Sequence, residues 1–355
     1  MLWTGLSGYL NACLKELAGR EGIDLMVSYQ LPNADAPYDR SQFTWIQNQF
    51  AWRTESDLKA LSSRLHEFDP DVLVMAGWHI GWHRRLARER RGRSWRVMIM
   101  DNPWRGTLKQ WVGIATAAIY LRPIADMAWL PGERQAAFAR RLGFKERQIL
   151  RGSFSCDQKP FAEQYNRRLA TGRQLPKAFL FVGRFVAEKG IGALSRAYAL
   201  YRERTDNPWP LICCGAGPQS TQLEGRPGIE VKGFVQPDDM AAVMASAGCL
   251  ILPSAFEPWA LVIHEAASAG MIILASEAVG AAVHLVQPGY NGFVFDHRDT
   301  ESLAGLMMRV TAQTSEQRDA MSHASFELSK QYSPQRWADT LIHSYENRSG
   351  AMQWN

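Results

Sequence analysis

Short apolar runs recur along this chain, each closed by a Gly-, Pro- or Asp-containing break and followed by apolar residues at helical spacing. In the second half the runs are Ala178–Val182, Leu211–Cys214, Ile229–Val231, Leu250–Leu252, Met271–Ala275 and Phe293–Phe295. They are too short for helices and read as buried strands. Between them, Ile191–Arg204, Asp238–Ser246 (opened by Pro237) and Leu261–Ala269 (stopped by Gly270) read as helices. The first half alternates in the same way. Gly8–Arg20 carries Leu10, Leu14 and Leu17 on one helical face, Ile23–Tyr29 is a strand, and Glu55–Phe68 is a helix with Leu58, Leu61 and Leu65. Val72–Ala76 and Trp95–Met100 are strands around a basic helix at 82–92. Val112–Tyr120 and Asp126–Leu130 each supply a further helix or strand, and 134–142 a helix. Residues 31–56, with Pro32, Pro37, Trp45 and Trp52, read as a long loop, and helices at 299–312, 315–331 and 334–347 close the chain. Strands alternating with helices predict parallel sheets covered on both faces.

The alternation runs twice, broken at 148–160 (ILRGSFSCDQKPF), where Gly, Pro and polar residues suit a domain boundary. The 355 residues are enough for two such domains. In a doubly wound domain a central strand precedes the first loop. Only Met1-Leu2-Trp3 remains to form it, so the start reads as lacking several upstream residues.

Composition is that of an ordinary globular protein, with 46% hydrophobic and 21% charged residues. No apolar run reaches the ~20 residues of a membrane span, and the expected compartment is the cytoplasm. Five cysteines, with no Cys-x-x-Cys, argue for a reducing compartment and against a disulfide framework or zinc site. The net charge of +5 is uneven: Arg84, Arg85, Arg88, Arg90, Arg91, Arg93 and Arg96 cluster in one segment. Segment 84–96 is expected to contact an anionic membrane, at its inner face, or an acidic acceptor. Nucleic acid fits less well, since no motif for it accompanies the charge.

Two loops carry the candidate chemistry. Arg184 and Lys189, between Gly183 and Gly190, follow a strand and form a cradle suited to a diphosphate. Glu257 and Glu265 follow another strand, at the carboxyl edge where α/β sheets bind ligands. Glu265 has apolar neighbours and needs hydrogen-bond donors, which the hydroxyls of a sugar or ribose supply. The amides of Trp259, Ala260 and Leu261 open the helix between the two acids. Gly215-Ala216-Gly217-Pro218 and Lys232-Gly233-Phe234-Val235 end two further strands. His79 follows Val72–Ala76, and Asp101-Asn102 follows Trp95–Met100.

The stretch Ser254-x-x-Glu257-Pro-Trp-x-Leu261-x-x-x-Glu265-Ala-x-x-x-Gly270 resembles the donor-site signature of the family 4 retaining glycosyltransferases. Gly-Arg-Phe-x-x-x-Lys-Gly at 183–190 resembles their diphosphate motif. The resemblance implies a GT-B fold, with two Rossmann-like doubly wound domains facing a cleft. It implies an acceptor-side domain at 1–155, a nucleotide-sugar domain at 156–332, and a helix at 333–355 that crosses back to the first.

It further implies transfer of a sugar from a nucleoside-diphosphate sugar to a hydroxyl of a glycan or lipid-linked acceptor, as in polysaccharide biosynthesis. No metal or other cofactor is expected, Arg184 and Lys189 standing in for the cation. Glu257 and the amides after it are expected on the sugar, Glu265 on the ribose, Gly215 at the nucleotide, and the backbone of Gly233 and Phe234 on the base. His79 is expected near the sugar or acceptor, Asp101 at the acceptor, and Gly5 and Gly8 beside the donor phosphates. The alternatives are an epimerase or phosphorylase on the same architecture and a non-catalytic nucleotide-sugar-binding subunit.

Overall fold

A computed structural model describes residues 1–31, 40–54 and 56–348. Pro32, Pro37 and Glu55, invoked above for the loop and the helix start, lie outside the described residues. The chain divides into two compact units, Met1–Cys156 joined by the segment from Pro334, and Asp157–Ser333.

The first unit runs β1 (Leu2–Trp3), α1 (Gly8–Ala18), β2 (Met26–Gln30), β3 (Asn48–Trp52), α2 (Leu58–Phe68), β4 (Val72–Met75), α3 (Gly81–Glu89), β5 (Trp95–Ile99), α4 (Leu108–Tyr120), β6 (Met127–Leu130), α5 (Glu133–Arg141) and β7 (Ile149–Arg151). Its seven strands are parallel in the order β3-β2-β1-β4-β5-β6-β7. The two-residue β1 is therefore central, as the doubly wound pattern requires. Alternate side chains supply the two faces. Leu73, Met75 and Met98 join one core with Leu61, Leu86 and Phe138. Val74, Val97 and Ile99 join the other with Leu10, Leu14 and Trp337.

One expectation fails in this unit. The loop predicted over 31–56 contains β3, an edge strand whose middle residues stay partly exposed, so it lacks an apolar run. The basic segment is only partly solvated. Arg90 turns inward to Asp69, Ser94 and Pro70, and Arg96 pairs with Asp126 at 2.6 Å. Both side chains are buried.

The second unit runs α6 (Gln158–Ala170), β8 (Phe179–Val182), α7 (Ile191–Glu203), β9 (Leu211–Cys214), β10 (Ile229–Gly233), α8 (Pro237–Met244), β11 (Cys249–Leu252), α9 (Leu261–Ser268), β12 (Ile272–Ser276), α10 (Ala282–Leu285), β13 (Gly292–Phe295), α11 (Thr300–Thr311) and α12 (Ser315–Ser329). Its six parallel strands lie in the order β10-β9-β8-β11-β12-β13. Strands β8, β11 and β12 are almost wholly buried, which explains their unbroken apolar runs. Helix α6 has no counterpart in the apolar pattern: only Phe161 and Tyr165 are buried along it, and Asp157 caps its start.

The last helix, α13 (Pro334–Glu346), belongs to the first unit. Trp337 packs, tilted, at 4.7 Å against Trp129 and donates to the carbonyl of Ser153, while Asp339 pairs with Arg20, just past α1. Among the described residues no helix is long and apolar enough to cross a membrane.

Candidate functional site

Strand order places the site in the second unit. The sheet is built outward in both directions from β8 and β11, so the connections leave to opposite faces between these two strands. The carboxyl ends flanking such a switch point leave an open crevice. The loop after β8 carries Gly183, Arg184 and Lys189; the loop after β11 carries Glu257 and leads into Glu265.

The two loops touch. Lys189 Nζ donates to the Glu257 carboxylate in an ion pair largely shielded from solvent. The amide of Ala255 donates to Glu188 O at 2.8 Å. Gly190 is at φ +72, and a Cβ there would overlap the carbonyl of Pro253. Only glycine allows that approach without strain. Arg184 is exposed, and its guanidinium has no hydrogen bond or ion pair among the described residues. The glycine ends of the neighbouring strands continue this edge. Gly183 N donates to Cys214 O at 3.0 Å and Gly215 N to Gly233 O at 2.7 Å. A Cβ on Gly215 would strike the carbonyl of Gly183. Phe234, just beyond, leaves its ring exposed.

Ala260 opens α9 from the left-handed region, at φ +79, one of two non-glycine residues there among those described. This turn follows Trp259, whose indole is buried against His284 and Tyr332. Among the described residues the amides of Trp259 and Ala260 meet no backbone acceptor, and that of Leu261 starts the helix without an intrahelical one. Glu265 is half-buried, and its carboxylate meets no hydrogen-bond donor or cation among the described residues. Loss of water pushes its pKa up to about 7.

One supporting segment escaped the motif reading. Residues 277–281, after β12, brace the acidic loop: Gly280 N donates to Glu257 O at 2.9 Å and Ala281 N to Trp259 O at 2.8 Å. The small residues Ala278, Gly280 and Ala281 after a strand were the available signal. Beyond it, Glu277, Asp296 and His297 bring three possible metal-ligand atoms within 4.8 Å of one another. These groups are already paired, His297 with Glu277 at 2.8 Å and Arg298 with Asp296 at 2.7 Å. Arg298 holds Asp296 far below the usual carboxylate range.

The remaining candidates lie in the first unit. Gly5 and Gly8 follow β1, His79 follows β4 and Asp101 follows β5, so they occupy the carboxyl ends of three neighbouring strands. His79 is exposed. Asp101 loses enough hydration to raise its pKa, opposed by its own amide and by nearby His79. His83 and His264 are buried and held neutral, both lowered to about 4 by desolvation. All five cysteines are buried thiols outside any disulfide.

Residues 170–327 match the family model described as "Glycosyl transferases group 1". That segment contains both the Arg184–Lys189 loop and the Glu257–Glu265 stretch. The chain is 28% identical over 192 residues to an uncharacterised glycosyltransferase of Methanocaldococcus jannaschii, covering 52% of this chain and 48% of that protein. It is 30% identical over 175 residues to a glycogen synthase of Mycobacterium tuberculosis, covering 47% of this chain and 40% of that one. The alignments thus span about half or less of these relatives' own lengths. Anabaena HepE, solved in complex with UDP, superposes with a TM-score of 0.72 at 17% identity, over 98% of this chain and 99% of that chain. HepE has also been solved with UDP-glucose. At that identity the likeness is one of fold, the GT-B pairing of two Rossmann-like units.

Proposed function

We propose that this protein is a metal-independent, retaining glycosyltransferase of family 4 that moves a sugar from a nucleoside-diphosphate sugar to a hydroxyl of a glycan or lipid-linked acceptor. The observation that carries the reading is the pairing of Lys189 with Glu257 at the switch point of the second sheet. Arg184, without a partner among the described residues, lies in the same loop as Lys189, and Glu265 lies one turn into α9, which follows Glu257.

In this reading the second unit holds the donor. Arg184 takes the diphosphate through its planar fork and Lys189 as a point charge. In the absence of donor, Glu257 keeps Lys189 in place and neutral in sum. When donor arrives, the diphosphate draws on the ammonium while Glu257 turns its acceptor oxygens to the sugar hydroxyls. The ribose diol donates to Glu265, supplying the hydrogen bonds that carboxylate lacks. The amides of Trp259, Ala260 and Leu261 lie along the sugar, Gly183 and Gly215 admit the phosphates, and the backbone of Gly233 and Phe234 meets the base.

The chemical step breaks the bond between the anomeric carbon and the leaving phosphate oxygen. The acceptor oxygen bonds the same face of that carbon, and its proton passes to the departing phosphate. Arg184 and Lys189 stabilise the charge that gathers on the diphosphate as this bond breaks. Gly5, Gly8, His79 and Asp101, in the first unit, are assigned to the donor phosphates, sugar and acceptor. The enzyme is placed in the cytoplasm, touching an anionic inner membrane face. Within segment 84–96, Arg85, Arg88, Arg91 and Arg93 remain exposed for that contact.

A panel of nucleoside-diphosphate sugars, scored by thermal shift and then by product analysis with and without acceptor glycans, tests the reading. One donor should stabilise the protein and yield a glycoside of unchanged anomeric configuration. Lys189→Ala and Arg184→Ala should each lower turnover by about a hundredfold. Wild-type rates in either variant would remove that residue from the mechanism. An epimerised donor without transfer would replace the proposed reaction.

A further inference from the structure

We infer that the outward face of α4 seats the first unit on an anionic lipid surface. Of the ten large apolar side chains exposed among the described residues, five lie in this one helix. Leu108, Val112 and Ile119 are 85%, 64% and 72% exposed, and Trp111 and Tyr120 more than half. Their positions are not scattered. Leu108, Val112, Ala115 and Ile119 fall at steps of four, three and four, so they form one stripe along the side of the helix turned from the core. The stripe is about 16 Å long at 1.5 Å per residue. Ala117 is the only residue of α4 that is fully buried, with Ile114 half-buried behind it. The helix thus meets its own core through Ala117 and Ile114 and presents most of its large side chains outward, the reverse of an ordinary surface helix.

The face is well anchored. Thr107 caps the helix by accepting from the amide of Gln110. The Gln110 side chain accepts from Arg105 N and donates to Pro103 O, both at 2.8 Å. Trp111 packs edge-on against Trp104, with ring centroids 5.2 Å apart.

Charge selects the occupant. Residues 102–122 contain Arg105, Lys109 and Arg122 and no Asp or Glu, and all three cations are exposed. An apolar stripe with Trp and Tyr at its margins and cations beside them suits the headgroup region of a bilayer. Each cation near an anionic surface adds to the attraction. A second copy fits worse. A two-fold contact would set the same cations against one another with no acid between them. This face adds an apolar anchor to the exposed arginines of segment 84–96 proposed above for the same contact. It does not depend on the donor site.

Co-sedimentation of the full chain with phosphatidylcholine vesicles, with and without phosphatidylglycerol, tests it. Wild type should sediment with the anionic vesicles. The double variant Trp111→Ser, Ile119→Ser should lose about tenfold or more of that affinity while retaining its circular dichroism and nucleotide-sugar binding. Arg88→Glu with Arg91→Glu should weaken binding less than the α4 variant. Undiminished vesicle binding by the α4 variant, or no binding by wild type, would overturn the inference. So would a wild-type dimer that the α4 variant splits, which would give this face to a second copy. Failure of donor binding alone would leave the vesicle result standing.

Discussion

Glu265 is a carboxylate whose state turns on its surroundings near neutral pH. Its carboxyl is raised from 4.5 to about 7 by desolvation, with no cation or donor to offset it. Between those values the folded chain binds more protons than the unfolded one, so stability falls as pH rises through that window. Buried His83 and His264, lowered to about 4, act in the opposite sense at lower pH. Comparison with Glu265→Gln cancels them. The ligand-free melting temperature of wild type should fall relative to that of Glu265→Gln between pH 5 and 8, and a constant difference would contradict the raised pKa.

A bound diol donates to the ionised form, so wild-type affinity for a nucleotide-sugar should rise with pH through about 7. The donor's diphosphate diester does not titrate there, and calorimetry at several pH values reads the slope. A flat profile would separate Glu265 from the ribose. Ala260 offers a test in the other direction. Its φ of +79 costs an L-residue about 1–2 kcal/mol. Ala260→Gly should raise stability by about 1 kcal/mol, read by denaturant unfolding, and a loss would mean that the methyl group does more than tolerate the turn.

At the scale of elements, legibility followed burial. Strands β8, β9, β11 and β12, enclosed on both faces, appear in the sequence as unbroken apolar runs at nearly their observed bounds. Strand β3, at the edge of its sheet, and α6, with two buried residues, show no such run and were not legible. The loops after β8 and β11 were readable because their chemistry needs fixed residue types: glycine at Gly190, whose α-carbon lies against Pro253, and paired acids around α9. Their direct contact through Lys189 and Glu257 was not, since the residues lie 68 apart in sequence and strand order alone makes them neighbours. Gly190→Val forces a β-branched residue to φ +72 against a carbonyl. It should cost about 1–3 kcal/mol and weaken donor binding together. A stable variant that binds normally would show that the two loops can part without harm.

At the scale of the whole molecule, the chain returns to its first unit at the end. Trp337 is buried among Trp129 and residues of α1, and its indole reaches the carbonyl of Ser153. Trp337→Ala should destabilise the protein by about 3–5 kcal/mol, measured by chemical denaturation, with the first unit losing hydrogen-exchange protection before the second. The charge imbalance was visible in sequence, but its partition was not. Arg90 and Arg96 are structural, because Asp69 and Asp126 are brought to them by the fold.

The most direct measurement is a calorimetric titration of nucleoside-diphosphate sugars into wild type, Arg184→Ala and Glu265→Ala. Wild type should bind one of them, and each variant should bind it about tenfold to a hundredfold more weakly through the loss of a charged contact. No binding by wild type to any of them, or equal binding by all three proteins, would contradict the donor site at the switch point of the second sheet.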